Sequence, residues 1–95
     1  MRKKAIRIKG KSAIGYEINL PQANLVLVAA EKGFVCCGYL DLQTAEKLED
    51  AAAIVRGVKT IEELLSAKIT GATPRAAAMG IKTGMSGQQA LEFLV

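Results

Sequence analysis

Two adjoining segments of the chain are apolar at nearly every position, and this feature constrains the fold more than any other. They are residues 24–31, NLVLVAAE, and residues 33–40, GFVCCGYL, joined by a Glu-Lys-Gly turn at 31–33. Their length and their content of β-branched residues favour two strands of a β-hairpin. Because successive side chains of a strand point to opposite faces, consecutive apolar residues need cover on both faces of the sheet.

A second predicted hairpin precedes this one and has a single buried face. Residues 3–9, KKAIRIK, place Ile6 and Ile8 on one side of a strand, and residues 12–20, SAIGYEINL, form its partner. The intervening Gly10 favours a turn, and Pro21 ends the second strand because proline donates no ladder hydrogen bond. The four segments together predict an antiparallel meander.

The remainder of the chain has predominantly helical patterns. Residues 44–56, TAEKLEDAAAIVR, carry apolar residues at helical spacing, and Gly57 would end this helix. Residues 67–72, AKITGA, would add a fifth strand. Three further helices are predicted from their N-terminal signals: Thr60 with Glu63, Thr73 with Pro74 (ending at Gly80), and Ser86 with Gln89.

These elements predict one α+β domain over residues 1–95, with a four- to five-stranded antiparallel meander and short helices packed on one face. The helices are too few and too short to cover both faces of the central strands. The second apolar face then requires another protein surface, and we expect a second copy of the chain to supply it. The sequence therefore predicts a homo-oligomer.

The composition excludes several classes of function. The chain contains no histidine, which removes Ser-His-Asp and Cys-His catalysis and most zinc sites, so no metal ligands are assigned. No apolar run reaches the ~20 residues of a membrane span, and the N-terminus lacks the apolar core of a secretory signal. We therefore expect a cytoplasmic protein with reduced cysteines.

Positive charge is concentrated at the N-terminus. The chain has a net charge of +4, and six of its thirteen basic residues lie in the first eleven positions, which hold no acid: Arg2, Lys3, Lys4, Arg7, Lys9 and Lys11. Such a strip attracts nucleic acid in some proteins, and in others it is a solvated face or a lysine-protected sheet edge. Nucleic acid binding is the weaker interpretation here, because no aromatic residues alternate with the charges.

Three segments carry a resemblance to a known family. They are CGYL at 37–40, DAAAIVRGVKT at 50–60 and GIKTGMSGQQAL at 80–91. With the sequence between them, they resemble the YunC-like family of small bacterial and archaeal proteins, a domain of unknown function. The resemblance implies a small α+β fold. It implies no reaction, and it leaves any cofactor unknown.

The adjacent cysteines are the first candidate site. Neighbours in a strand point to opposite faces, so Cys36 and Cys37 are not predicted to form a redox pair. Both would serve as small buried apolar residues. Alternatively Cys37, which belongs to the CGYL segment of the resemblance, would act as a nucleophile. Gly38 beside it would let a ligand or a packed helix approach the backbone closely.

A cationic corner is the second candidate. On the predicted helix, Asp50 lies in the middle and Arg56 at the end, about 120° apart around the axis, so they form no ion pair along it. Arg56, Gly57 and Lys59 would bind a phosphate or a carboxylate, with Thr60 exposing helix amides. The alternative is that these residues serve only in helix capping and packing.

Two hypotheses of function follow. The first is a non-catalytic, oligomeric domain that binds a small ligand or a protein partner, with Gly38, Asp50, Arg56, Gly57, Lys59 and Thr60 as candidate ligand-binding residues. The second is a cysteine-dependent enzyme in which Cys37 attacks and Asp50, Arg56 and Lys59 orient the substrate and stabilise charge. Whether Cys37 and Arg56 share a cleft decides if the second constellation exists.

Overall fold

The computed structural model describes residues 1–39 and 41–95 and contains one sheet whose strands follow the order of the chain. The six strands found in this part of the chain are β1 (Arg2–Ile8), β2 (Lys11–Asn19), β3 (Asn24–Ala29), β4 (Phe34–Cys36), β5 (Ala52–Ile54) and β6 (Gly71–Ala72). The helices are α1 (Leu42–Lys47), α2 (Ile61–Ser66), α3 (Pro74–Ala78) and α4 (Gly87–Leu94). The α+β class is confirmed, and β1–β4 form the predicted antiparallel meander. The sheet has six strands, one more than the predicted maximum of five, and it is mixed because β4 and β5 pair in parallel.

The two predicted hairpins are present, and their pairing is antiparallel. Tyr16 of β2 lies opposite Leu27 of β3, and Leu27 lies opposite Cys36 of β4. The predicted strand 33–40 is shorter than expected, since β4 ends at Cys36. Leu40 of that prediction lies outside the described residues. Residues 67–72 contribute only the short strand β6 at the far edge of the sheet.

The predicted helix over residues 44–56 is wrong in its second half. Helix α1 ends at Lys47, Glu49 has a left-handed φ of 60°, and Ala52–Ile54 form β5, which pairs in parallel with β4. Residues 51–55 are all buried. A run of consecutive small apolar residues suits a strand buried on both faces as well as it suits a helix, and the neighbouring strand β4 decides the outcome. Asp50 consequently lies between α1 and β5, not in the middle of a helix.

The principal core lies on one face of the sheet, which we call the covered face. Val28, Val35 and Ala53 of adjacent strands form one buried row there. Helices α2 and α4 pack over it with the buried side chains Ile61, Leu64, Leu91 and Leu94. Among the described residues, no helix has the length and apolar character needed to cross a membrane.

The opposite face is covered only at one end. Helix α1 packs on β5, where Ala45, Ala52 and Ile54 are buried. The side chains of β2 and β3 on this side, including Tyr16 and Leu27, remain half-buried or exposed. We call the part of this second face formed by β1–β4 the open face.

Candidate functional site

A cleft lies at the end of the sheet where the strands β4 and β5 terminate. Because these strands are parallel, the residues that follow them, Cys37–Tyr39 and Val55–Gly57, emerge side by side. The turn between β2 and β3 reaches the same end. Together these segments enclose about 670 Å³, and we call this space the edge cleft. Its lining residues are Leu20, Gln22, Ala23, Asn24, Cys37, Gly38, Tyr39, Arg56, Gly57, Val58 and Lys59.

The edge cleft unites most of the residues singled out in the sequence. Cys37, Gly38, Arg56, Gly57 and Lys59 all line it, so Cys37 and Arg56 share one cleft. Their roles in binding or catalysis stay predictions.

Two of the sequence-predicted residues lie away from the edge cleft. Asp50 borders a smaller depression with Glu46, Glu49, Pro74 and Arg75. Thr60 is the N-cap of α2, where its hydroxyl oxygen accepts a hydrogen bond from the backbone N–H of Glu63 at 3.0 Å. The structure therefore assigns Thr60 a capping role and places Asp50 in a different surface depression.

Glycine at position 38 makes room for the guanidinium of Arg56. A Cβ atom at this position would lie 3.0 Å from Nη1 of Arg56, which is closer than ordinary van der Waals contact. Gly57 has a left-handed φ of 74°, a conformation that other residues adopt only with strain, and it turns the chain after Arg56. The carbonyl of Lys59 accepts a 2.9 Å hydrogen bond from the amide of Asn24, which ties this turn to the start of β3.

The edge cleft is lined by two cations and by no acid, while the carboxylate of Glu63 lies outside the lining, where it accepts a 2.8 Å hydrogen bond from the backbone N–H of Lys59. Arg56 and Lys59 are both exposed, and the residues that line the cleft include no acid. The ion pairs found in the described part of the chain join Arg2 to Glu17 and Glu62, Lys4 to Glu62, and Lys9 to Glu92. Neither cation of the edge cleft takes part in them. The local potential therefore favours an anion.

The two thiols lie on different surfaces, as strand alternation predicts. Both cysteines are free and only 4 % exposed. Cys37 lies at the wall of the edge cleft, and its sulfur accepts a 3.3 Å hydrogen bond from the backbone N–H of Val26. Cys36 lies on the open face opposite Leu27, where burial, followed by the neighbouring Cys37, raises the pKa of its thiol well above the usual range. Cys36 is therefore protonated at neutral pH.

The sequence did not indicate that three polar residues line the edge cleft: Gln22, Asn24 and Tyr39. Gln22 belongs to the β2–β3 turn and Asn24 begins β3. Both reach the end of the sheet that carries Arg56 only because β4 and β5 run parallel. Tyr39 was within the segment CGYL, but its role depends on the chain leaving β4 at Cys36. A polar turn between two apolar strands was the available signal, and it does not by itself reveal what lies opposite.

The fold and the edge cleft define a small α+β protein with a cationic pocket at the carboxyl ends of two parallel strands. Residues 36–94 match the family described as "Domain of unknown function (DUF1805)". The chain is 38% identical over 90 residues to the uncharacterised protein YunC of Bacillus subtilis, covering 90% of this chain and 89% of that one. The chain therefore belongs to this YunC-like family, and the resemblance found in the sequence is confirmed.

A solved structure extends the comparison to the whole fold. The crystal structure of a protein of unknown function from Thermoplasma acidophilum matches with a TM-score of 0.95 and 34% sequence identity. The match covers 99% of this chain and 92% of that chain. The region that matches the family runs from β4 to α4 and includes Cys37, Arg56 and Lys59, whereas the β2–β3 turn precedes it.

Proposed function

We propose that this protein binds a small anion, a carboxylate or a phosphate, in the edge cleft. The observation that carries the proposal is the pair of exposed cations, Arg56 and Lys59, which face a cleft lined by no acid and which have no ion-pair partner among the described residues. An unpaired arginine beside backbone that permits close approach suits bidentate contact with a planar carboxylate or a phosphate.

The remaining walls suit an organic anion better than a bare inorganic ion. Leu20, Val58 and the ring of Tyr39 supply apolar surface, while the amides of Gln22 and Asn24 supply polar groups. The volume of about 670 Å³ falls within the range of small-molecule sites, ~300–1,000 Å³. The arginine would orient the acidic group, and the apolar walls would hold the carbon skeleton.

The proposal is tested by titrating the protein with inorganic phosphate and with succinate while recording backbone amide chemical shifts. Saturable shifts are expected at Gly38 and Gly57, which flank the guanidinium. Arg56→Gln and Lys59→Gln should each weaken binding roughly tenfold or more, because each removes a charge-assisted hydrogen bond. Lys82→Gln, an exposed lysine outside the edge cleft, is the matched control and should leave binding unchanged.

Two results would contradict anion binding at this site. One is the absence of saturable shifts at Gly38 and Gly57 with either anion. The other is an equal loss of affinity in Lys82→Gln and Arg56→Gln, which would mean that the protein attracts anions only through its net charge.

Catalysis by Cys37 is a second candidate, supported by its position in the same cleft as Arg56 and by the N–H of Val26, which points at its sulfur. Alkylation of the native protein, read by peptide mass spectrometry, tests this role. A catalytic Cys37 should react faster with anionic iodoacetate than with neutral iodoacetamide, and Arg56→Gln should remove the preference. A thiol that stays inert until the protein unfolds would exclude it.

A further inference from the structure

The open face presents more apolar surface than a solvated sheet face requires. Ile14, Tyr16 and Ile18 of β2 lie opposite Ala29, Leu27 and Leu25 of β3. Ile18 is 37% exposed, and a groove of about 310 Å³ runs between Leu25, Leu27, Ala29, Phe34, Cys36 and Tyr39. A contiguous apolar groove of this kind marks a surface that another molecule covers.

Charge is distributed unequally along the same face. At one end, β1 contributes Lys3 and Arg7, which alternate with the inward-facing Ile6 and Ile8. The ammonium of Lys3 lies 5.9 Å from the centre of the Tyr16 ring, at the border of the apolar surface. At the other end, the segment that contains α1, residues 41–50, holds four acids and one lysine: Asp41, Glu46, Glu49, Asp50 and Lys47. The open face is thus cationic at the β1 end, apolar in the middle and bounded beyond β4 by the α1 segment, which is acidic although Glu46, Glu49 and Asp50 share a depression with Arg75.

We propose that the open face binds a second copy of the chain, related by a twofold axis parallel to the strands. This axis reverses the order of strands, so the cationic β1 of one copy approaches the acidic α1 segment of the other, and apolar β2 and β3 meet in the centre. The other in-plane axis would stack β1 on β1 and bring like charges together. Charge complementarity therefore selects both the partner and the orientation.

The dimensions of the face agree with this arrangement. Four strands spaced about 4.8 Å apart and about 20 Å long give roughly 400 Å² of projected surface per copy. Packed sheets lie about 10 Å apart, which is also about the diameter of a helix, so α1 standing on β5 would flank the edge strand of the partner. The two faces with their α1 flanks approach ~1,000 Å², which is the lower limit for a specific interface.

Sedimentation velocity over a range of micromolar concentrations tests the proposal, with the variants Ile18→Lys and Phe93→Lys. Both residues are exposed to a similar extent, 37% and 41%, so neither substitution places a charge in the hydrophobic core. Ile18 lies on the open face, whereas Phe93 lies on α4, across the sheet. The unmodified protein should sediment as a dimer. Ile18→Lys should weaken association at least roughly tenfold, and Phe93→Lys should leave it unchanged.

Salt then tests the orientation. Opposite charges attract less at higher ionic strength, so raising salt from about 20 to about 200 mM should weaken the dimer. Association that strengthens with salt would overturn the proposed axis. A monomer at every concentration, or an Ile18→Lys variant that dimerises as tightly as the unmodified chain, would overturn the proposal itself. None of these outcomes depends on anion binding, because Ile18 does not line the edge cleft.

Discussion

Two of the N-terminal cations are engaged in a network with acidic side chains. Arg2 binds Glu17 and Glu62, each at 2.7 Å, and Lys4 binds Glu62 at 2.8 Å. Glu17 is only 9% exposed, and it also accepts a 2.7 Å hydrogen bond from the backbone N–H of Ile61 at the start of α2. A single oxygen of this buried carboxylate, Oε1, accepts both hydrogen bonds, and the network joins β1 and β2 to α2.

The substitution Glu62→Gln tests this network through pH. Hydrogen bonds from Arg2 and then Lys4 hold the pKa of Glu62 far below its ordinary value of 4.5. Since the folded-state pKa is lower than the unfolded one, the stabilisation is fully present above pH 4.5 and is lost as the pH falls below it. Glu62→Gln should therefore unfold more easily in urea than the unmodified protein at neutral pH, and this deficit should shrink in acid.

The exposed position of Glu62 adds a second signature and a control. Because the ion pairs are half-exposed, salt should also reduce the deficit of Glu62→Gln at neutral pH. Glu31→Gln removes an exposed carboxylate for which the described residues provide no ion pair, and it should leave the pH dependence unchanged. A deficit of Glu62→Gln that stays constant into acid would mean that the side chain acts by packing.

At the scale of the element, Thr73 joins β5 to helix α3. Its hydroxyl donates a 2.7 Å hydrogen bond to the carbonyl of Asp50 and accepts one at 3.1 Å from the N–H of Ala52. The same oxygen caps α3 by accepting from the N–H of Ala76. Thr73 is 1% exposed, so water cannot replace these bonds.

Thr73→Val keeps the shape of the side chain and removes its hydroxyl. Three backbone groups then lose their partner in a dry site, and we expect the free energy of unfolding to fall by about 2–3 kcal/mol. Chemical denaturation would measure the change. Thr83→Val, at an exposed position, is the matched control and should have almost no effect. Equal effects of the two substitutions would show that the buried hydroxyl contributes nothing specific.

The elements that could be predicted from the sequence are those with a local signal. The first hairpin was predicted from the alternation of apolar residues along its strands, and the second from the length, the β-branched content and the turn of two apolar segments. The N-caps Thr60, Thr73 and Ser86 were predicted from side chains that act within three residues. The strand β5 could not be predicted, because Ala-Ala-Ile has no period of its own and becomes a strand only beside β4.

In the candidate site, too, residues close in sequence could be predicted to lie together, whereas those brought together by strand pairing could not. Arg56, Gly57 and Lys59 line one cleft although the helix predicted before them is wrong in its second half, because residues so close in sequence stay close in any fold. Asp50 was grouped with them through the second half of the predicted helix, which the structure replaces by a turn and β5. Asn24 and Tyr39 were missed because their approach to Arg56 requires the parallel pairing of β4 with β5, which is a long-range property.

At the scale of the whole molecule, Tyr39 connects the two proposed binding surfaces. It is 53% exposed and lines both the edge cleft and the groove of the open face. A second copy on the open face would restrict this side chain, and so would an anion beside Arg56. If dimerisation has already ordered Tyr39, anion binding no longer bears the entropy cost of ordering it, and the reverse also holds. Dimerisation and anion binding would then favour each other without any further conformational change.

Net charge acts in the same direction as Tyr39. In the proposed dimer, the local attraction between β1 and the α1 segment exceeds the repulsion between two chains that each carry +4, and an anion bound near Arg56 and Lys59 reduces this repulsion. If both proposals hold, phosphate should tighten the dimer, and by reciprocity the dimer should bind phosphate more tightly by the same factor. Sedimentation equilibrium with and without phosphate, at constant ionic strength, measures this coupling.

Tyr39→Ala should reduce the coupling while the dimer and the anion site both persist. A dimer that weakens when phosphate binds would contradict the linkage and would indicate that the edge cleft closes as the copies associate.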